Sequence, residues 1–530
     1  MQYLLVAIFP FFLLLLLMII LKKPAYVAAP VTLVLTLITT YFIWEMDTLW
    51  FMVALIRGFF VTVEILFIVF GAVFLLTTMQ KAHIFKPIHH ILEGVSKDRR
   101  VQAILVAWFL VSFIEGAAGF GTPAMIAAPI LVLIGFKPLV AVAISLVGES
   151  TAVTFGAMGV PITIGIADGL TSVQTQSLGN FIPQVAKTTA LFHLAVGSFI
   201  PLAISVLVTY LVSKNLSKGF EIWKYAVFAG LAFTFPSFII ASVLGPEFPS
   251  ILGALIGLSI VVPLTKRGFL LPSEVWRFDT PKDGENSTYL LTKSKLFKVV
   301  LPYILLLLLL VVSRVEVLGI NTILQKYKIG PGSILGTSAS HQLAPLYSPG
   351  FFLLLVSFYS FFHYKLRAKA IKNIVSTSVQ KITLPFWSLF FILFLVNIMI
   401  FSSNNAVGLP SIPVFLAEEM RHVGSLWPLF APFVGLTGTF ITGSLTVSNL
   451  LFSAFQVETA FLYGFSPILI LSLQAAGGAA GNTIAVHNVL AALTVVGLSR
   501  GEGEVIKQCA IPAFLYALCI GIIGLIVSLI

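Results

Sequence analysis

The chain has 530 residues, 58% of them hydrophobic and only 10% charged, with a formal net charge of +11 and a mean hydropathy of +1.06. That balance excludes a water-soluble globular protein. The apolar runs do not alternate, which excludes a β-barrel, so the expected fold is an all-α polytopic membrane protein.

The first apolar run, 3–21, is followed by Lys22 and Lys23. A signal peptide carries its cations before the apolar run, so this run is read as a span that stays. Further runs fall at 25–44, 52–79, 101–117, 122–135, 138–166, 188–212, 224–244, 249–264, 298–313, 347–363, 383–402, 426–441, 443–455, 467–498 and 509–530. At ~17–25 residues per crossing they predict about 12–14 transmembrane helices plus broken or re-entrant helices. The whole chain, 1–530, reads as one integral transport domain.

Orientation follows from lysine and arginine. Loops 80–100, 213–224, 265–298 and 363–382, with Lys22 and Lys23, hold 22 of the 31 cations. The loops between them are short or carry Glu45, Asp47, Asp168, Glu247, Glu418 and Glu419. The cation-rich loops are expected in the cytoplasm and both termini outside. Residues 315–346, with Gly330-Pro331-Gly332, read as an irregular external loop. The basic segment 365–381 fits either a helix along the inner surface or a solvated connector. Arg57 and Glu64 share a helix face seven residues apart, and an internal ion pair is expected. His193 is a single polar residue in its span, and Glu458 is expected in a short loop. Cys509 and Cys519, ten apart in one apolar run, make neither a zinc motif nor a disulfide signal.

The chemistry concentrates in Phe113 to Pro161, an apolar stretch holding Glu115, Glu149, seven glycines and four prolines. Unwound backbone is tolerated at membrane depth only where protein or a watery cavity satisfies it, and an intramembrane acid is by default functional. A partner stretch, 432–497, echoes it. Gly135-Phe136-Lys137-Pro138 recurs as Gly464-Phe465-Ser466-Pro467, and each is preceded by a Gly/Thr-rich break, Gly119 to Thr122 and Gly438 to Ser444. The run Gly477 to Gly481 stands where the first stretch has its own glycine cluster. By the charge count Lys137 lies inside and Ser466 outside. This predicts two inverted repeats, with cores at 101–212 and 426–530 and a substrate site near their interface.

The strings Glu115-Gly116-Ala117-Ala118-Gly119-Phe120-Gly121-Thr122-Pro123, Ser150-Thr151-Ala152-Val153-Thr154-Phe155-Gly156-Ala157 and Gly478-Ala479-Ala480-Gly481-Asn482-Thr483-Ile484-Ala485-Val486-His487-Asn488-Val489 resemble the lactate permease family. The match in length and hydropathy covers nearly the whole chain. It is to a branch with Glu-Ser-Thr and Val-His-Asn motifs. The best-known branch has Asp where Leu445 stands and Lys where Asn482 stands. The resemblance implies proton-coupled uptake of L-lactate, with D-lactate and glycolate as companions, across the cytoplasmic membrane of a bacterium.

A small hydroxy acid needs positive potential without a permanent cation, which exposed N–H groups at broken helix ends supply. Gly119, Gly121 and Gly481 are the backbone candidates, with Thr122, Ser150, Thr151, Ser448 and Asn449 as side-chain donors. Asn482 or Asn488 would suit the substrate hydroxyl. Taken singly, each glycine is better explained by close helix packing; the clusters with Pro and Thr are read as ligand-facing. Glu115, Glu149 and His487 are the proton-coupling candidates, since a carboxylate taken out of water favours its neutral form and histidine titrates near neutrality. The structural alternative for each acid is a bond to a neighbouring helix end. The expected partners are a monocarboxylate, protons and the bilayer, with a homodimer as one option for assembly. No cofactor, metal or nucleic acid is expected. Coupling to Na⁺ or transport of another organic acid stays open. No Gly-x-Ser-x-Gly elbow, paired-histidine motif or Walker sequence occurs, so no enzyme is expected; an intramembrane enzyme acting on lipid or isoprenoid is the alternative from another class.

Overall fold

A computed structural model describes residues 2–17, 21, 23–82, 94–119, 121–278, 301–302, 304–306, 308–310, 312–313, 319–419, 424–498 and 500–529. Residues 83–93 of the expected loop 80–100, residues 279–298 of the expected loop 265–298, and parts of the stretch 298–318 lie outside the described residues. The main helices run as α1 Gln2–Leu15, α2 Ala25–Phe42, α3 Thr48–Lys81, α4 Arg99–Ala118, α5 Thr122–Leu133, α6 Pro138–Ala152, α7 Ile182–Ala195, α8 Ile200–Ser213, α9 Trp223–Val243, α10 Pro249–Lys266, α11 Pro349–His363, α12 Ala368–Phe401, α13 Trp427–Thr442, α14 Leu445–Tyr463, α15 Pro467–Asn482, α16 Val486–Val495 and α17 Glu502–Ser528. Counted across their kinks, eleven described segments are long and apolar enough to cross a membrane, and four more apolar helices are shorter. Proline opens α5, α6, α10, α11, α13 and α15, where its missing N–H costs nothing and its fixed φ suits a first turn. Among the described residues β-pairing is limited to two isolated bridges.

The chain divides into two compact units, one formed by Met1–Lys86, Asp168–Ser177 and Leu291–His422, the other by Pro87–Ala167, Leu178–Leu290 and Val423–Ile530. In the first, α3 and α12 pack lengthwise, flanked by α2 and α11. Gly71 lets α3 approach α11: a Cβ there would lie 2.7 Å from the Gly350 carbonyl. Both α3 and α12 have 34 residues, or ~51 Å at 1.5 Å per residue, against ~30 Å of hydrocarbon. The basic residues 368–381 are therefore the first part of the continuous helix α12, not a separate surface helix.

The Arg57–Glu64 pair does not form. Seven residues separate the two by ~10 Å along the axis, and each finds a nearer partner. Arg57 donates to Asp168 Oδ1 at 2.9 Å and to Asn397 Oδ1 at 2.6 Å. Glu64 Oε2 lies 2.8 Å from His341 Nε2.

In the second unit α15 packs into α13. Gly477 faces the Pro432 backbone, and Gly481 faces that of Leu436. The run Gly477 to Gly481 is thus helical and tightly packed; the chain unwinds after it, at Thr483 to Ala485. Glu458 lies within α14 rather than in a loop. On the cation-rich side, the buried Arg100 holds both oxygens of Asp98 at 3.0 and 2.7 Å and donates to the carbonyls of Lys218 and Glu274, tying three loops together.

Candidate functional site

The second unit is interrupted at four places. α4 ends at Gly119, which has φ 59° and ψ −160°, a region open to little but glycine. The Thr122 hydroxyl turns back to the Gly119 carbonyl at 2.6 Å, and α5 starts at once. α6 gives way after Ala152 to a tight turn in which Ala157, Met158 and Gly159 are all left-handed, with φ of 44°, 59° and 77°. The chain then resumes as the π-helical turn Pro161–Ile166. In the later stretch α13 stops at Gly443, and Ser444 caps α14. α15 and α16 are parted by Thr483 to Ala485. Side chains satisfy the loosened carbonyls: Ser250 donates to Ala152 at 2.7 Å and Asn449 to Pro161 at 2.9 Å.

The two carboxylates are held differently. Glu149 Oε1 accepts from the Ala124 N–H at 2.7 Å, in the first turn of α5, and Oε2 accepts from Asn482 Nδ2 at 3.0 Å. A carboxylate at a helix N-terminus sits at the favourable end of the dipole. Asn482 Oδ1 in turn accepts from Asn488 Nδ2 at 2.8 Å. Asn488 Oδ1 lies against Gly121, where a Cβ would come within 2.6 Å of it. The chain of polar groups thus starts and ends at the head of α5. Glu115 is just as buried, but its Oε2 has no hydrogen-bond partner. Its Oε1 lies over Gly156, where any side chain would collide with it.

Between these breaks is a cavity of about 20 Å³, edged by Glu115, Gly119, Gly156, Gly443, Ser444 and Asn482 among others. It has room for a water-sized group, so a three-carbon acid requires it to widen.

Of the residues singled out from sequence, Glu115, Gly119 and Asn482 line this cavity. Glu149, Asn488 and Gly121 adjoin it through the polar chain. Ser150 is buried with its hydroxyl unpartnered, and Thr151 lies beside Gly197. Ser448 is engaged between helices, donating to the Gly435 carbonyl and accepting from Gln474. Gly481 faces α13, and His487 is exposed beside Gly443. Sequence reasoning missed Gly156, Ser444 and Thr446 as lining residues, although Gly156 lies in a quoted motif and Ser444 in a predicted break. It also missed Ser250, whose only mark is its place in the first turn of α10.

The first unit holds a separate half-buried cluster. His341 places Nε2 at 2.8 Å from Glu64 and Nδ1 at 3.9 Å from Asp168, whose Oδ1 also takes Arg57. Glu64, Asp168 and His341 have ligand atoms within 4.8 Å of one another, close enough to hold a metal ion. Here, however, each ring nitrogen faces a different acid and Arg57 occupies Asp168, so side chains already balance the charge.

The family model described as L-lactate permease matches residues 3–530. The chain belongs to the L-lactate permease family. It is 27% identical to the L-lactate permease of Bacillus subtilis, over 92% of this chain and 89% of the relative. It is 26% identical to that of Escherichia coli K12, over 98% and 94%, and 25% identical to glycolate permease GlcA of the same organism, over 98% and 95%. The YdaH transporter structure of Alcanivorax borkumensis aligns with 90% of this chain and 86% of that one, at 14% identity and a TM-score of 0.43. As a multi-pass member of a permease family the protein is a transporter, not an enzyme.

Proposed function

We propose that the protein takes up L-lactate, with D-lactate and glycolate as further substrates, by proton symport across the bacterial cytoplasmic membrane, its cation-rich loops and the bonded Arg100 cluster facing inward. The names of its relatives support the substrate class. Gly119, Gly121 and the unwound backbone beside Glu115 and Asn482 form the ligand-facing surface, with Thr122, Ser150, Thr151, Ser448, Asn449, Gly481 and Asn488 shaping or supporting it. The observation that carries proton coupling is the contrast between the acids. Glu149 has both oxygens bonded and serves as a fixed helix-end partner. Glu115 has a buried, unpartnered oxygen at the cavity edge.

A charged carboxylate there would repel an anionic substrate at low dielectric. Protonation removes that repulsion and supplies an O–H that can donate to the substrate, so proton and anion load and unload together. One proton per monocarboxylate moves no net charge, and accumulation follows the pH gradient. The test uses purified protein in liposomes. The parent should concentrate labelled L-lactate when the lumen is alkaline, without Na⁺, and glycolate should compete. Glu115→Gln should still exchange labelled for unlabelled lactate but fail to concentrate it. Accumulation by Glu115→Gln equal to the parent's removes Glu115 as coupling site and moves the same experiment to Glu149 and His487.

A further inference from the structure

The turn that follows α6 is held in place. Thr154 and Phe155 stand between the cavity-lining Val153 and Gly156 and are engaged by His193. The Thr154 hydroxyl lies 2.8 Å from His193 Nε2, and His193 Nδ1 lies 2.5 Å from the Tyr516 hydroxyl. The Phe155 ring stands edge-on to the imidazole, with centroids 6.1 Å apart. All four side chains are buried. A neutral imidazole has one N–H and one bare nitrogen, and each hydroxyl can donate or accept. Either tautomer therefore satisfies both contacts without placing a charge in the membrane.

After the extended Gly156 come three consecutive left-handed residues, two of them not glycine. Such backbone persists only where its surroundings over-determine it. Its surroundings include Ser250 on Ala152, Asn449 on Pro161, Pro246 and Thr163 on Gly159, and His193 on Thr154 and Phe155. Among these, His193 is the one that engages Thr154 and Phe155.

We infer that His193 is a positioning residue for substrate binding: it fixes the turn at the cavity edge through Thr154 and Phe155 and anchors it to α17 through Tyr516. This rests on the cavity being the substrate site. Thr154→Val and Tyr516→Phe each remove one hydroxyl at nearly constant volume. Each should raise the KM for L-lactate about five- to tenfold, the effect of one lost hydrogen bond, and more than it lowers Vmax per inserted molecule. The double variant should be little worse than either single one, because both cut the same chain. Thr154→Ser should restore the parental KM. A merely structural role would lower the amount of inserted protein and leave KM alone.

Hydrogen–deuterium exchange over residues 153–160 needs no substrate. It should quicken in Thr154→Val and Tyr516→Phe and match the parent in Thr154→Ser. Unchanged exchange in the first two overturns the inference whatever the protein carries. If the parent moves neither lactate nor glycolate, the functional reading fails instead, and the exchange experiment still decides whether His193 holds the turn.

Discussion

Replacing Glu149 separates hydrogen bonding from charge. In Glu149→Leu the Ala124 N–H loses its acceptor and Asn482 loses its partner. Asn482 and Asn488 can both flip their amides, but flipping only exchanges an orphaned N–H for an orphaned carbonyl. Two buried polar groups stay unpaired either way, at about 1–3 kcal/mol each, or roughly 2–6 kcal/mol together. Glu149→Gln behaves differently. Its oxygen can keep the Ala124 N–H, its amide can donate to a flipped Asn482, and Asn482 can donate to a flipped Asn488. The whole chain reverses; Asn488 Oδ1 has no partner to lose at the Gly121 end, and the loss is the long 3.4 Å bond from Asn488 Nδ2 to the Asn482 carbonyl. The expected cost is about 1 kcal/mol. Thermal unfolding of the purified protein in detergent, followed by monodisperse recovery after heating, should rank parent, Gln and Leu in that order, with Gln near the parent. A Leu variant as stable as the parent would remove the polar chain as a source of stability. A Gln variant as damaged as Leu would show that the negative charge itself is required, and Glu149 would return as a proton carrier.

Gly121 has φ 71°, and its missing side chain faces Asn488 Oδ1. Gly121→Ala combines a left-handed penalty of about 1–2 kcal/mol with that clash, and should cut uptake at least tenfold while Gly121→Ala with Asn488→Ala recovers part of it; no recovery would mean the clash is not the cause. Gly481→Val should lower the amount of folded protein recovered from the membrane, because its Cβ meets the Leu436 backbone; abundant protein with an altered KM would place Gly481 at the substrate after all. Burial would lower the pKa of His341, but the hydrogen bond to Glu64 and the charges of Asp168 and Glu64 outweigh it, against Arg57, and hold it above the ordinary histidine value. The contribution of this contact is therefore complete below pH 6.5, the ordinary value, and is lost as pH rises through the raised one. Tryptic cleavage at the exposed Lys326 and Lys328, corrected for the protease's own pH dependence, should quicken over that rise, and the same profile in His341→Gln would sink the assignment.

Much of this was legible in the residues. Gly119 and Gly121, packed with Thr122 and Pro123, mark an interruption because few other residues can take those backbone angles. The helical class followed from composition and from apolar runs that do not alternate. What was hidden depends on the opposing surface. Gly477 and Gly481 suit either an unwound segment or a close-packed face, and the backbone of Pro432 and Leu436 opposite decides for packing. Glu115 and Glu149 are the same residue type at the same burial. Their difference lies in Ala124 and Asn482, the second of which is 333 residues from Glu149. Arg57 and Glu64 share a face, yet residues from outside α3 claim each of them.

That separation of 333 residues has a consequence for biosynthesis. At 5–20 residues per second, Asn482 leaves the ribosome roughly 20–70 s after Glu149. Asn449, which serves the Pro161 carbonyl, and Tyr516, which steadies His193, are also made late. Throughout that interval the nascent first stretch must wait with an incomplete hydrogen-bond set. A ribosome stalled before residue 449 would expose α6 and the turn after it in that state.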